Sequence, residues 1–346
     1  MSSTRPIPIR SFALSLSVGL TLGVAGAAWA APAGDDAHAC SETAALLLTA
    51  CKYEVRDDFY VAQAICENVA GEHAQDACED EADEARIEGL QLCDEQRSAR
   101  LALCADLGDG RYDPNFEPRL FDDPKNPSHP NPYYPLQVGN RWVYFDEGET
   151  VTVTVLNETK LIEGVECITV NDVVLVDGAA HEDTDDWYGI RKNGTVDYCG
   201  EIVQNFESFE GDDPAVPELV DVDGSWKHGR DGALAGTQFL ANPQVGRVYR
   251  QEFAAANAED AAEILSTTYR HGQNAVLDQH VPPVLAQLLC SAGDCVVTGE
   301  FSPIEPGHFQ RKYYARGIGL FLEVNPSSGV SVELIECNVD PKCNSL

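Results

Sequence analysis

Thiol oxidation is the chemistry this chain is best equipped for. All 12 of its cysteines lie from Cys40 onward, and no Cys-x-x-Cys occurs. Neither a redox-active pair nor a zinc ribbon is indicated, and an even set of cysteines behind an export signal argues for disulfides. The first six are Cys40, Cys51, Cys66, Cys78, Cys93 and Cys104, and their spacings read the same from either end. Two antiparallel helices joined by a turn near Gly71 bring each of them opposite another. This predicts the nested pairs Cys40–Cys104, Cys51–Cys93 and Cys66–Cys78, with other pairings on several shorter helices as the alternative. Among the remaining six, Cys290–Cys295 and Cys337–Cys343 would close short loops, and Cys167–Cys199 would tie two strands.

The other reactive residue types are sparse. Glu305 and His308 make the one acid–base pair that suggests catalysis, although a surface histidine beside a turn is the commoner meaning. No Gly-x-Ser-x-Gly, His-Glu-x-x-His, phosphate loop or dinucleotide fingerprint is present. Glu182, Asp183, Asp185 and Asp186 read as an acidic loop ahead of a strand. Asp183, Asp185 and Asp186 are the candidate calcium ligands, because clustered carboxylates suit a hard cation, and Asp221-Val-Asp-Gly is a second candidate. Neither has the distant bidentate Glu of a full calcium loop, and no other cofactor is expected. Trp142, Trp187, Tyr188 and Trp226 are the candidate ligand-lining aromatics; the competing reading is that they fill a core.

These residues need elements to hold them. Residues 1–30 read as a secretory signal: Arg5 and Arg10, an apolar run from Phe12 to Val24, then Ala28-Trp29-Ala30 as a cleavage site. Residues 31–39 are expected to be disordered. Residues 40–106 lack proline and are rich in Ala, Leu, Glu, Gln and Arg, which predicts the stapled helical hairpin, with Ser41 capping the first helix and Gly108 ending the second. Residues eleven apart share a helical face, and Val55 is expected to meet Gly89 on the seam. Residues 107–135 carry repeated prolines and read as a stiff spacer. From residue 136 to 346 the texture turns to strands rich in Val, Thr, Ile and aromatics, with Asn193-Gly194 as a type I′ hairpin signal. The fold class is therefore α+β: a disulfide-stapled antiparallel helical hairpin followed by an antiparallel, curved β-sheet or half-barrel.

The net charge of -34 disfavours nucleic acid and anionic membrane as partners. No stretch beyond the signal is apolar enough for a membrane span, so a periplasmic or extracellular protein, exported through a cleaved signal peptide, is expected.

Several runs resemble a broad set of secreted bacterial proteins of uncharacterised function. Tyr-Pro-Leu-Gln-Val-Gly-Asn-Arg-Trp-Val-Tyr from Tyr134 is similar to their opening strand. Asp-Trp-Tyr-Gly-Ile-Arg-Lys-Asn-Gly-Thr-Val-Asp-Tyr-Cys-Gly-Glu from Asp186 is similar to their central hairpin. The runs Gly224–Ala233, Val248–Phe253 with Ala258-Glu-Asp, and Lys312–Leu320 add to the likeness, which covers most of Tyr134 to Leu334. The resemblance implies acidic residues where Arg191 and Asn193 stand, so a cation-binding turn in relatives would be lost here. Cys199 stands in place of an aromatic, in keeping with an added disulfide. More loosely, the domain looks like the half-barrels of lipoprotein carriers, an analogy of fold alone. The leading functional expectation is an exported, non-enzymatic binding or carrier protein that holds a small or apolar ligand on a curved sheet. The alternatives are a structural or adaptor protein of the cell envelope whose hairpin docks a partner, and a hydrolase without a recognisable motif.

Overall fold

The computed structural model describes residues 36–146 and 148–346. The signal reading over 1–30 and most of the expected disordered segment lie outside the described residues. The chain divides into two compact units: one holds the described residues up to Ser98 together with Asp109–Arg111, the other Ala99–Gly108 with Tyr112–Leu346.

In the first unit a 3-10 turn, Asp36–His38, leads into helix α1, Ala39–Cys66, so the end of the segment expected to be disordered is ordered. Helix α2 is Glu72–Leu107, and Gly71 breaks the chain between the two with a φ of 102° that glycine alone adopts without strain. Ser41 does not cap α1. The helix begins earlier, and Asp109 satisfies its first amides instead: the Ser41 N–H donates to Asp109 Oδ1 at 2.8 Å and the Cys40 N–H to the Asp109 carbonyl at 3.0 Å. The disulfides Cys51–Cys93 and Cys66–Cys78 hold Cα atoms 5.8 and 5.5 Å apart. Helix axes normally stay about 8–10 Å apart, and Gly89 permits the closer approach, since a Cβ there would lie 2.9 Å from Val55 Cγ2. Cys40 and Cys104 are disulfide-bonded as well, and no described cysteine is free.

The second unit is built from fifteen strands: β1 Arg141–Asp146, β2 Glu149–Ile162, β3 Val165–Val176, β4 Ala179–Ile190, β5 Val196–Glu207, β6 Glu218–Asp221, β7 Trp226–Lys227, β8 Leu234–Phe239, β9 Val248–Arg250, β10 Glu252–Phe253, β11 Ala261–Tyr269, β12 Cys295–Phe301, β13 Phe309–Ala315, β14 Gly319–Val324 and β15 Ser331–Cys337. A short helix, α3 Pro283–Cys290, precedes β12. The strands form one antiparallel sheet in the order β10-β8-β5-β4-β3-β2-β1-β15-β14-β13-β12-β11-β9, with β6 and β7 added on β5. Its two terminal strands, β9 and β10, are separated in the chain by Gln251 alone, so the sheet comes round on itself. The curvature therefore goes beyond a half-barrel to a nearly closed meander. Closure needs close backbone approach at that seam: a Cβ on Gly236 of β8 would lie 2.1 Å from the Gln251 carbonyl oxygen.

Two sequence expectations about this unit are corrected. The Asn193-Gly194 turn is a wider loop in which Arg191 N–H donates to Thr195 O at 2.8 Å, and positive φ occurs at Gly194 but not at Asn193. Positive φ at both positions, as a type I′ turn requires, occurs at Glu163-Gly164, Asp177-Gly178 and Asp231-Gly232. The proline-rich stretch, for its part, is no spacer. Phe116, Phe121 and Tyr133 are buried, and Asp122 N–H donates to Ile190 O at 2.8 Å, Lys192 N–H to Leu120 O at 2.9 Å and Tyr133 O–H to Asp294 O at 2.7 Å. Aromatics set among the prolines gain by burial, and the β4–β5 hairpin pairs backbone groups that an isolated extended segment leaves to water. The last turns of α2 belong to this unit through Arg100, whose Nε and Nη2 donate to the two carboxylate oxygens of buried Glu259 at 2.7 and 3.0 Å.

Apolar residues form two clusters. The larger contains Trp142, Tyr144, Val155, Ile168, Val170, Tyr188 and Tyr198. The smaller joins Phe116, Phe121, Trp187, Cys167 and Cys199. The Cys167–Cys199 disulfide of this second cluster links β3 and β5 across β4. It passes over Gly189, where a Cβ would approach Cys199 Sγ to 3.2 Å. Cys290–Cys295 and Cys337–Cys343 are also formed, as expected.

Candidate functional site

Strand β13 carries Lys312 into the barrel between its two neighbours. Glu323 of β14 is its register partner, and Glu300 comes from β12. Lys312 Nζ lies 3.1 Å from Glu300 Oε2 and 3.7 Å from Glu323 Oε1. Burial works against the ammonium charge, but Glu300 and Glu323 outweigh it and push the Lys312 pKa up. Glu300 also accepts from Thr298 Oγ1 at 2.9 Å and from Tyr314 O–H at 3.1 Å. A lysine held charged on two sides is removed as an amine nucleophile.

Other strands add a surplus of carboxylates. Asp186 of β4 faces Glu201 of β5 in register and accepts from Tyr198 O–H; Trp226 Nε1 donates to Glu201 Oε1 at 3.1 Å. Burial pushes Asp186 up to about 7, and burial together with the Asp260 charge pushes Glu252 up to about 8. Asp172 and Glu201 are raised well above the carboxylate range, in each case first by burial and then by Asp186. Burial likewise raises Tyr134, Tyr144, Tyr188 and Tyr314, which stay phenols and keep their donors.

Two cavities open on this cluster. The first, about 360 Å³, has an apolar wall of Val151, Val153, Val170, Val174 and Val332. Trp142, Tyr134, Tyr144 and Tyr314 add aromatic rings to it, and Glu149, Asp172, Lys312 and Glu323 add charge. The second, about 210 Å³, is polar, with Glu252, Asp260, Glu300, Glu305 and His308 on its wall. Gln310 and Lys312 line both. Two buried oxygens nearby have no hydrogen-bond partner among the described residues: Oδ1 of Asp172 and the hydroxyl of Tyr249, a residue only 6% exposed.

The predicted aromatic set is split by this architecture. Trp142 lines the first cavity, its Nε1 donating to Ile318 O at 2.7 Å. Tyr188 stands behind the wall, its ring 4.9 Å from Tyr198 and 5.4 Å from Tyr134. Trp226 packs edge-on against Tyr198 at 5.3 Å. Trp187 is on the other face of β4, beneath Lys160 Nζ at 4.4 Å and among the smaller cluster, since adjacent strand residues point to opposite sides.

The acidic run expected to be a loop is part of β4, and the same alternation divides the proposed calcium ligands. Asp183 and Asp185 share one face, where Asn171 Nδ2 donates to both at 2.7 and 3.2 Å, while Asp186 points inward to Tyr198. In the second acidic run, Asp221 Oδ1 accepts from Asn205 Nδ2 at 2.6 Å and from the Asp223 N–H at 3.1 Å. His308 Nδ1 lies 3.1 Å from Glu305 Oε2 in the exposed β12–β13 turn at the rim of the second cavity.

Sequence reasoning passed over Lys312, Asp172, Glu201, Glu252, Glu300 and Glu323. The signal available was phase: Asp172 stands in step with Ile168, Val170 and Val174, where an apolar residue is expected. No protein family, curated protein or solved structure matches the chain. No helix of the described residues is long and apolar enough to cross a membrane.

Proposed function

We propose that this is a binding protein that holds a small, largely apolar ligand inside its barrel. The observation carrying this is the first cavity: a single space walled by valines and aromatic rings together with a few polar groups, which is the usual makeup of a ligand pocket. The ion-paired state of Lys312 and the exposed position of His308 and Glu305 favour binding over hydrolysis. The disulfides fit an oxidising compartment. We place the protein in the periplasm or outside the cell, with residues 1–30 as its export signal.

The test uses the neutral apolar dye N-phenyl-1-naphthylamine, whose emission rises in an apolar site. Saturable enhancement by the intact protein, abolished in Val332→Trp at unchanged thermal stability, is the expected result. No enhancement, or equal binding by the filled-cavity variant, refutes the reading.

One observation favours the adaptor reading for the helical hairpin. Leu46, Tyr53 and Tyr60 recur every seven residues along α1 and are 71%, 67% and 58% exposed, a stripe that the described residues leave largely open to solvent. Specific recovery of an envelope protein by the full chain, lost on changing all three to Ser, would support that role; recovery unchanged by the substitutions would count against it.

A further inference from the structure

We propose that the ligand of the first cavity is a cationic amphiphile, its protonated amine seated against Asp172 and Glu323 and its apolar body against the valine wall. The proposal rests on the binding function above and specifies its ligand.

Charge decides the sign of the head group. Among the described residues Lys312 is the one cation on the cavity wall, and both of its near partners are already carboxylates, Glu300 at 3.1 Å and Glu323 at 3.7 Å. An anionic head would find no free positive charge and would meet Asp172, Glu149 and Glu323 instead. Asp172 supplies the independent observation. It lines the cavity, its Oδ1 is buried, and that oxygen accepts no hydrogen bond from the described residues. A buried carboxylate oxygen is rarely left this way, and a donor on a ligand would complete it. Like charges on Asp186, Glu182 and Glu323 add to burial in disfavouring its anion, and a cation in the cavity offsets each of them.

The rings discriminate further. Trp142, Tyr134, Tyr144 and Tyr314 present aromatic surface to the same space, and such faces attract alkylammonium groups. A bare metal ion fits poorly. Among the described residues no three acidic or histidine ligand atoms in the barrel approach one another within 4.8 Å, and valines would meet its hydration shell. An alcohol would complete Asp172 but, being uncharged, would not offset the like charges that disfavour its anion.

The test is displacement of N-phenyl-1-naphthylamine from the intact, oxidised protein at neutral pH by three probes of one chain length: decylammonium, decan-1-ol and decanoate. Decylammonium is expected to displace the dye at a concentration at least about tenfold lower than decan-1-ol, with decanoate weakest of the three. Asp172→Asn is expected to bring decylammonium to within about threefold of decan-1-ol. Glu323→Gln, which frees one side of Lys312, is expected to weaken decylammonium and strengthen decanoate. Equal displacement by amine and alcohol, or strongest displacement by decanoate, overturns the proposal while leaving the binding function standing. Failure of the dye to bind at all overturns both.

Discussion

Raising the pH is expected to destabilise this protein, and Glu252→Gln is expected to remove a defined part of that dependence. Glu252 is 6% exposed and sits at the barrel seam, opposite Ala235. Burial and the neighbouring Asp260 move its carboxyl from an ordinary 4.5 to about 8. The folded chain therefore keeps a proton that the unfolded chain has released. The associated stability is complete below the unfolded value and is lost as the pH rises through the folded one. One retained proton gives a slope of about -1.4 kcal/mol per pH unit between about pH 5 and pH 7. Over the whole displacement this amounts to at most about 5 kcal/mol, a large share of a typical folding free energy. Asp186, raised to about 7, acts with the same sign, and because these carboxyls repel one another they titrate together. The net charge of -34 also favours unfolding as the pH rises, so the informative quantity is the difference between variants. Urea denaturation followed by tryptophan fluorescence, at constant ionic strength and several pH values, measures it. Wild type is expected to lose stability steadily from pH about 5 to 8, and Glu252→Gln to lose it less steeply by about 1.4 kcal/mol per unit. Parallel slopes for the two proteins would refute the assignment of a retained proton to Glu252, and stability rising with pH would refute the protonated interior altogether.

Two further outcomes test the scaffold. Arg100→Met leaves the Glu259 carboxylate buried without its bidentate partner, and a loss of about 3–5 kcal/mol in thermal or urea unfolding is expected, partly restored by adding Glu259→Gln. Gly236→Ala places a methyl group 2.1 Å from the Gln251 carbonyl at the barrel seam. Neither backbone segment can move without breaking the closure, so recovery of soluble, oxidised protein is expected to collapse, whereas wild-type yield and melting temperature would contradict the importance of that contact.

Much of this architecture was legible in one dimension because it depends on local periodicity. Helical repeat and symmetric cysteine spacing together specify Cys51–Cys93 and Cys66–Cys78 and the meeting of Val55 with Gly89. The short-loop pairs Cys290–Cys295 and Cys337–Cys343 follow from proximity in the chain. Runs of β-branched and aromatic residues mark residues 136–346 as strand-forming. Tertiary structure decided what depends on distant segments. Trp187 and Tyr188 are neighbours in sequence yet serve opposite faces, because a strand alternates and only packing says which side is inward. The same alternation separates Asp186 from Asp183 and Asp185. In the supposed spacer, Phe116, Phe121 and Tyr133 find their burial only on a sheet formed much later in the chain. Closure depends on Gln251 standing between two strands that pair with opposite ends of the sheet. The interior charge cluster is the extreme case: apart from the phase of Asp172, nothing on a single strand brings Asp172, Glu201, Glu252, Glu300, Lys312 and Glu323 together. Their protonation, their pairing and the cavity they edge exist only when the barrel brings those strands around one space, since burial and charge–charge interaction are properties of the neighbourhood and not of the residue.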